Sequence, residues 1–491
     1  MMRNLAFLLG GNLASWSVSL LFWLTLPRLL GPATFGEFTL GLAVSGLALS
    51  IGGLGIATYL LKQVARDRGH AGKYVGTGLV THLMLAALVV PSVFLFAVVA
   101  HYGAHTRAVV VLFTLSAACA FLVTPAVIAL QALEHMHLNT MIALVRQVIG
   151  ALTAVSLALI FRFDILELIL VVLTFNVVTS VLQLYVTNRI VSIRFGFDLS
   201  LFRRLITGGL PFWSNGVFLT TYVWIDSVLL SVLTPARELG YYAAPVQAIS
   251  TLGFLPGIVT TVIFPALSRG YPTDQDTVRR LTRLSLQGLI SIGMPISIGA
   301  LLVGPATLEM IFGAAFRPSG LVFMVLAFTV VPSYIATLAY WVLAAADRQR
   351  LWAYVMGVSA VVNPLINLAT IPYFQNHAGH GSLGAAVALL VTDTAVGTAG
   401  LLLIPRALLR PFRPLVVGIT KAAVATIAMA VAVSFWHDWP VPARILVGAT
   451  VFVAAAAALG VFTFDDADLW ASVRTRLWRR LERRPKADVP A

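Results

Sequence analysis

The sequence predicts an all-α integral membrane protein with about fourteen transmembrane helices. Of its 491 residues, 59% are hydrophobic and 11% are charged, and the mean hydropathy is +0.92. A soluble protein of this length needs far more charge to cover its surface. Apolar windows of about 20 residues, the length that spans a bilayer, recur along the whole chain.

Short gaps that contain charges or turn residues separate these windows, and each window is expected to form one spanning helix. In chain order, the predicted spans are 5–27, 38–61, 74–100, 109–130, 138–161, 166–187, 210–233, 242–267, 284–303, 320–345, 352–373, 383–404, 414–436 and 443–462.

Basic residues lie mainly in alternate gaps between the predicted spans. One side of the membrane receives most of the 33 lysines and arginines, in the gaps at 62–73, 188–209, 268–283 and 405–413 and in a basic tail at 464–491. Because cytoplasmic loops carry the excess of Lys and Arg, this pattern predicts an even number of spans with both termini cytoplasmic. The net charge of +14 therefore reflects membrane orientation, and no nucleic-acid partner is expected. The tail is expected to lie on the anionic membrane lipids.

A short turn separates the first two predicted spans, and a similar pattern recurs later in the chain. It lies within the stretch WLTLPRLLGPATFGEFTLGLAVSGLALS, residues 23–50. Pro32 cannot continue the helical hydrogen-bond ladder, and Gly36 supplies backbone freedom for a tight reversal. The stretch therefore predicts a helical hairpin with a very short outer loop.

A similar turn follows the seventh predicted span, about 200 residues later, where Pro235 and Gly240 precede two tyrosines. Both turns are expected on the outer side, so the two copies share a topology and should be related by an axis along the membrane normal. The alternative is that Pro and Gly recur by chance in short interhelical turns. The repeat predicts an N-lobe of six helices (1–190), a cytoplasmic linker (191–209), a C-lobe of six helices (210–405) and two extra helices (406–463).

The first turn resembles the hairpin between the first two helices of the bacterial polysaccharide-unit (Wzx-like) flippases. These belong to the multidrug/oligosaccharidyl-lipid/polysaccharide exporter superfamily, with the multidrug and toxin extrusion proteins and the lipid II flippase. Segments 224–243 and 363–386 resemble later parts of the same family. The resemblance implies a flippase that moves an undecaprenyl-pyrophosphate-linked oligosaccharide across the bacterial inner membrane for cell-surface polysaccharide (exopolysaccharide) biosynthesis. The matching residues of the turn are Arg28, Leu29, Leu30, Gly31, Pro32, Phe35, Gly36 and Phe38.

Four charged residues inside or at the end of predicted spans are candidates for function, because charge is costly in hydrocarbon. Arg28 and Arg146 could bind a pyrophosphate, since guanidinium groups offer bidentate donors to phosphate oxygens. Asp226 and Asp393 are candidates for ion or proton coupling, or for pairing the lobes. The alternatives are that an Arg–Asp pair only braces helices and that Arg28 reaches the interface from a helix end.

Polar amides in the predicted spans are candidates to line a wet cavity and to bind sugar hydroxyls. They also serve in many membrane proteins to join helices by hydrogen bonds, which is the structural alternative. The amides predicted to line the cavity are Asn12, Gln147, Gln183, Asn215, Gln247, Asn363 and Asn367.

The chain has no nucleotide-binding, metal-binding or catalytic motif, so we expect no cofactor and no enzymatic activity. The prediction is a secondary transporter that works by alternating access and is driven by an ion gradient or the membrane potential. Polysaccharide polymerase or export proteins are possible partners. One alternative is a multidrug or cation antiporter, which would have acids rather than arginines lining its first lobe. The other is a membrane glycan-processing enzyme, which would need a larger outer loop than the gap at 374–382.

Overall fold

The computed structural model describes residues 2–161, 164–194 and 196–462, and within them side chains except at 2–21, 151, 154, 155, 157–161 and 215. These ranges are helical, with no strand. The helices are α1 (Met2–Gly52), α2 (Ile56–Arg66), α3 (Ala71–Val99), α4 (Ala104–Leu122), α5 (Thr124–Ala132), α6 (Met136–Phe161), α7 (Ile165–Val191), α8 (Leu199–Leu233), α9 (Ala236–Thr251), α10 (Phe254–Gly270), α11 (Gln275–Phe312), α12 (Ser319–Ala327), α13 (Val330–Ala345), α14 (Gln349–Ala378), α15 (Gly381–Leu403), α16 (Arg406–Leu409), α17 (Phe412–Phe435) and α18 (Val441–Ala458).

The first predicted span and most of the second lie on α1, which reverses direction at Gly31. Gly31 has a φ of +73°, a conformation that glycine adopts without the steric penalty of a Cβ atom. The rings of Trp23 and Phe38 lie 6.1 Å apart, whereas a straight helix would separate these residues by about 22 Å. The predicted hairpin is therefore confirmed. Its reversal occurs before Pro32, however, and Gly36 lies inside the second half of α1 rather than in the turn.

The chain is a multi-pass membrane protein. Eleven helices of the described ranges are long and apolar enough to cross a membrane, or twelve if α12 and α13, which are bent by 46°, cross together. All fourteen predicted spans overlap described helices. The number fourteen itself stays a prediction.

Four predicted spans are each divided into two shorter helices. The breaks lie at 53–55 between α1 and α2, at Val123 between α4 and α5, at 252–253 between α9 and α10, and at 328–329 between α12 and α13. The first two breaks fall in the second and fourth predicted spans of the N-lobe. The other two fall in the second and fourth predicted spans of the C-lobe. This correspondence supports the predicted internal repeat.

Buried apolar clusters lie both within the second half of the chain and between the two halves. Phe35 of α1, for example, shares one cluster with Ala243 of α9 and Phe312 of α11. In the second half, Leu281 and Leu289 of α11 pack with Tyr334 and Leu338 of α13 in one buried cluster. The two extra helices lie against this half, because α17 and α18 pack on α11. Met429 of α17, for example, belongs to a buried cluster with residues of α11.

The segment between α7 and α8 is shorter than the predicted linker 191–209, because α8 begins at Leu199. Asp198 caps α8 by accepting hydrogen bonds from the backbone N–H groups of Ser200 and Leu201. Its carboxylate also pairs with Lys73 at 2.7 Å. Following the predicted orientation, we call the face that holds this segment the inner face and the opposite one the outer face. The predicted tail, 464–491, lies outside the described residues.

Candidate functional site

The two repeated turns meet each other at the outer face. Gly36 of α1 and Gly240 of α9 lie where these helices cross. A Cβ atom on Gly240 would overlap the backbone carbonyl oxygen of Pro32, and one on Gly36 would lie 3.0 Å from the backbone nitrogen of Gly240. The halves of the chain therefore touch here through main-chain atoms. We call this contact (Pro32, Gly36 and Gly240) the outer crossing.

A carboxylate fastens each helix of the outer crossing to its own half of the chain. Glu37 accepts a hydrogen bond of 2.6 Å from the hydroxyl of Thr106, in the first turn of α4. Glu238 is buried and accepts hydrogen bonds from the hydroxyl and the backbone N–H of Ser382, at the start of α15, at 2.7 and 3.2 Å. A helix N-terminus favours a negative charge. The outer ends of α1 and α9 are thus held as parts of their respective lobes.

The lobes also touch towards the inner face. Gly55, in the break between α1 and α2, has a φ of +67°, and a Cβ atom there would lie 2.7 Å from the backbone nitrogen of Trp213 and would overlap the carbonyl of Gly209. The indole N–H of Trp213 donates a 2.8 Å hydrogen bond to the carbonyl oxygen of Ile51. A break in a spanning helix leaves carbonyl groups that must be satisfied inside the protein, and this bond satisfies one of them. We call this contact (Ile51, Gly55, Gly209 and Trp213) the inner crossing.

Arg146, whose side chain is exposed, lies at a recess of about 310 Å³ between the helices α4 to α7 of the first lobe, where polar side chains lie among alanines, valines and an isoleucine. Its guanidinium group is 3.5 Å from the side-chain oxygen of Asn176. Asn139 and Gln183 also line the recess, and the Gln183 amide donates a 2.9 Å hydrogen bond to Asn139. None of the described lining side chains is acidic. The recess therefore combines a cation with amide donors and acceptors.

Arg28 and Arg146 lie at different depths. Arg28 is exposed and lies three residues before the reversal at Gly31, near the outer face. Arg146 precedes Phe161, the outer end of α6, by fifteen residues, or about 22 Å along the helix axis. A shared cradle in which both arginines hold one pyrophosphate is therefore not formed in this conformation.

The predicted cavity amides are divided between the two lobes. Gln147 on α6 and Gln247 on α9 are half-buried. Asn12 and Asn215 are placed on α1 and α8 by their backbone alone. Asn363 and Asn367 of α14 are fully buried, so they do not line an open cavity in this structure.

Asn363 and Asn367 instead join Asp226 in a buried polar cluster (Asp226, Tyr242, Asn363, Asn367 and Thr392) within the second lobe. Asp226 accepts hydrogen bonds of 2.7 Å from the Asn367 amide and from the Tyr242 hydroxyl. Asn363 accepts one from Asn367 and donates one to Thr392, at 3.1 and 3.4 Å. The side-chain oxygen of Asn367 is buried without a hydrogen-bond partner. The donors that surround Asp226 in the described chain are neutral.

Asp393 lies next to this cluster and accepts a hydrogen bond from the hydroxyl of Tyr222. It also lines a cavity of about 290 Å³ between α9, α10, α13 and α15, together with the hydroxyls of Ser333 and Thr337. The hydrogen bonds shown for Asp226 and Asp393 all come from the second lobe. Among the described residues, neither acid bonds an arginine or a residue of the first lobe; the coupling and lobe-pairing roles stay predictions.

The family described as polysaccharide biosynthesis protein matches residues 1–271, more than half of the chain. The chain belongs to this family.

Relatives and solved structures agree with this assignment. A putative O-antigen transporter of Shigella flexneri is 27% identical over 133 residues, which cover 27% of this chain and 31% of that protein. The chain thus spans about a third of the length of this relative. The structure of the lipid II flippase MurJ in an inward closed conformation is similar, with a TM-score of 0.72, 12% identity and coverage of 93% of this chain and 99% of that chain. An inward-facing MATE family multidrug resistance transporter of the MOP superfamily gives a TM-score of 0.57 at 14% identity, over 80% of this chain and 92% of that chain.

These likenesses confirm the predicted all-α membrane fold for this polysaccharide biosynthesis protein. The resemblance to Wzx-like exporters that the sequence indicated is confirmed at the level of the family.

Three side chains near Asp226 and Asp393 were not predicted from the sequence to belong to this site. Tyr242 belongs to the repeated turn, which marked its position but not its bond to Asp226. Tyr222 precedes Asp226 by four residues, a spacing that places both on one helix face and could have indicated the site. Thr392 carried no signal, because a threonine in a spanning helix usually bonds its own backbone.

Proposed function

We propose that this polysaccharide biosynthesis protein is a flippase. Its cargo would be an undecaprenyl-pyrophosphate-linked oligosaccharide repeat unit, moved across the bacterial inner membrane by alternating access for cell-surface polysaccharide biosynthesis. The family, the similarity to the putative O-antigen transporter of Shigella flexneri and the similarity in fold to a lipid flippase support the proposal. Both termini would be cytoplasmic, and polysaccharide polymerase or export proteins are candidate partners.

The observation that carries the proposal is the outer crossing. Two repeated elements, one from each lobe, close the outer face through the main chain at Gly36 and Gly240. Side chains beside it also cross between the lobes, in the ring contact of Phe35 with Phe316 at 6.4 Å and the 2.7 Å hydrogen bond between the hydroxyls of Tyr102 and Ser231. These contacts would be broken when the lobes separate. Because Glu37 and Glu238 hold each element to its own lobe, the lobes can rock as rigid units. Rocking of one repeat against the other is how secondary transporters expose a site to alternate sides.

The recess around Arg146 is our candidate for part of the cargo site. Its guanidinium group would bind a pyrophosphate oxygen, and its amides would bind sugar hydroxyls. Arg28, Gln147 and Gln247, with Asn12 and Asn215, would line the path that cargo follows between the lobes. Arg28 would act at another stage than Arg146, because the two lie at different depths.

The buried polar cluster around Asp226 is our candidate for the coupling site. Asp226 offers a carboxylate surrounded by neutral donors, and the Asn367 oxygen beside it has no hydrogen-bond partner. A buried carboxylate without a cationic partner favours the uptake of a proton or a small cation. Asp393, linked through Tyr222, would lie on the route to the cluster.

The test is a deletion of the gene, complemented with variants at matched expression. We expect lipid-linked repeat units to accumulate on the inner leaflet of the deletion strain and surface glycan to be lost. R146A should restore surface glycan poorly and R146K in part, whereas R348Q, at an exposed arginine on the inner face, should restore it fully.

Other outcomes would overturn the proposal. Normal surface glycan with R146A would make that residue a helix brace. A deletion strain that keeps its glycan but becomes sensitive to cationic drugs would favour a multidrug antiporter. Unlinked or incomplete glycans in place of accumulated repeat units would favour a glycan-processing enzyme.

A further inference from the structure

A second basic site lies outside both lobe crossings, at the inner ends of α11, α17 and α18. It is a pocket of about 480 Å³ lined by Arg283 and Gln287 of α11, by Lys421 of α17 and by the chain just after α18. The Lys421 ammonium lies 3.5 Å from the carbonyl oxygen of Gly460, so the lysine inside a predicted span reaches the inner end of α18. We call this the inner basic pocket.

The geometry of the inner basic pocket is fixed by close helix packing. The Gln287 side chain fills the space where a Cβ atom of Gly418 would lie, and its amide donates a 3.2 Å hydrogen bond to the carbonyl oxygen of Val461. Gly418 is thus the position that lets α11 and α17 approach closely enough to share one pocket. The walls are therefore built by three helices and do not depend on one mobile side chain.

Three basic side chains line the inner basic pocket, Arg280, Arg283 and Lys421, and the last two lack a carboxylate partner among the described residues. None of the pocket's described lining side chains is acidic. Arg283 and Lys421 are both half-buried, so their charges are less screened by water than those of exposed surface residues. Two unbalanced cations at the membrane level attract an anion that is present there in quantity.

An apolar stripe leads from the pocket towards the outer face. Val417 lines the pocket and is 44% exposed, and Val424, Ile427 and Val431 continue at helical spacing along α17 with 49%, 62% and 65% exposure. Such a stripe on a spanning helix faces acyl chains. A ligand that fits both features has a phosphate at one end and hydrocarbon chains at the other.

We propose that the inner basic pocket binds the phosphate headgroup of an anionic glycerophospholipid of the inner leaflet, whose acyl chains lie along α17. Basic pockets between helices on the cytoplasmic side are suited to such headgroups. A polyprenyl pyrophosphate, the lipid part of the proposed cargo, would move between the lobes, where the outer and inner crossings lie on α1, α8 and α9. The pocket lies away from that path, on α11, α17 and α18, so a glycerophospholipid of the surrounding bilayer is favoured as its ligand.

The test measures the binding of short-chain lipids to the purified full-length protein. The probes are dioctanoyl phosphatidylglycerol, dioctanoyl phosphatidylcholine and inorganic phosphate, and the readouts are retention in native mass spectrometry and the shift of Tm. We expect the wild type to prefer phosphatidylglycerol over phosphatidylcholine, and the double variant R283Q/K421Q to lose about tenfold in that affinity. The control R348Q/R350Q removes two exposed inner-face arginines outside the pocket and should bind like the wild type.

Three results would overturn the proposal. The first is equal binding of phosphatidylglycerol by the wild type and by R283Q/K421Q. The second is a Tm shift with inorganic phosphate as large as that with the lipid, which would assign the pocket to a free anion. The third is a lower Tm of R283Q/K421Q without lipid, together with no lipid effect on either protein, which would assign the cations to the acidic residues at 465–468 of the same chain. If the double variant does not fold, K421Q alone should show a smaller loss of affinity for phosphatidylglycerol. An unchanged affinity of K421Q would count equally against the site.

Discussion

Replacing Gly240 with alanine should shift the balance between the two conformations of the transporter. The added methyl group would overlap the carbonyl oxygen of Pro32, and a backbone atom cannot move aside as a flexible side chain would. Overpacking of a close-fitted interior costs about 1–3 kcal/mol. The cost falls on the state with the outer face closed, because separated lobes do not meet at the outer crossing. A change of about 2 kcal/mol lowers the closed population relative to the open one by about 30-fold.

The shift can be measured as a distance across the outer face. We would replace Cys119, the only cysteine of the chain, with alanine and place spin labels at Ala104→Cys and Asn376→Cys. Both positions are exposed at the outer face, one on each lobe. Pulsed dipolar spectroscopy in lipid nanodiscs should give one main short distance for the otherwise unchanged protein and an added longer one for G240A.

The matched control is G257A. Gly257 lies on α10, in the predicted span 242–267 that follows Gly240, and a Cβ atom there would meet nothing within 4 Å. It gains the same helix propensity as G240A, so a general effect of alanine would appear in both variants. Identical distance distributions for G240A and the parent protein would refute the view that the outer crossing closes the outer face.

Three further predictions concern other parts of the molecule. Y334F removes the hydroxyl that donates a 2.9 Å hydrogen bond to the carbonyl oxygen of Leu252, at the break between α9 and α10. This oxygen keeps its second bond, from the backbone N–H of Leu255, so the variant should lower the free energy of unfolding by only about 0.5–1.5 kcal/mol, visible as a lower Tm. Y354F, at a tyrosine that is 73% exposed, should leave Tm unchanged. D226N keeps the size of the side chain but not its charge, so we expect transport in proteoliposomes to lose its response to the driving ion gradient while Tm is kept; an unchanged response would exclude the coupling role. The hydrogen-bonded ion pair with Lys73, aided by hydrogen bonds from Ser200 and the Leu201 backbone, lowers the pKa of Asp198 below its usual range. Its stabilising contribution is therefore complete above the ordinary pKa of an aspartate, near 3.9, and is lost as the pH falls from that value towards the lowered pKa of the folded state. The Tm of the wild type should thus fall towards that of D198N only below about pH 4; a constant Tm difference would contradict this.

The hydrophobic pattern was enough to place every predicted span on a helix, because bilayer thickness sets a length that the sequence must match. The pattern could not show where a span is broken. Val123 lies in an apolar window like any other, and its break depends on how α4 and α5 pack. Gly36 illustrates the same limit, because its neighbours suggest a turn although its small size serves a helix crossing.

The candidate site was predicted only in part, since the sequence marks costly residues but not their partners. Arg146 and Asp226 stood out as charges inside apolar windows. That Asp226 bonds Asn367, 141 residues away, depends on the packing of α8 against α14, which no local spacing reports. Asn363 and Asn367 were predicted to line an open cavity because the sequence does not distinguish an amide that faces water from one that is buried.

The outer crossing is built of main-chain atoms, so its fit depends on two residues that lack side chains rather than on a matched set of them. A gate of this kind does not constrain the side chains that line a cargo cavity away from it. The rest of the protein can then change its side chains to suit a new cargo without redesigning the closure. Evolution of a transporter with such a gate would preserve shape while sequence diverges, and specificity would change faster than architecture.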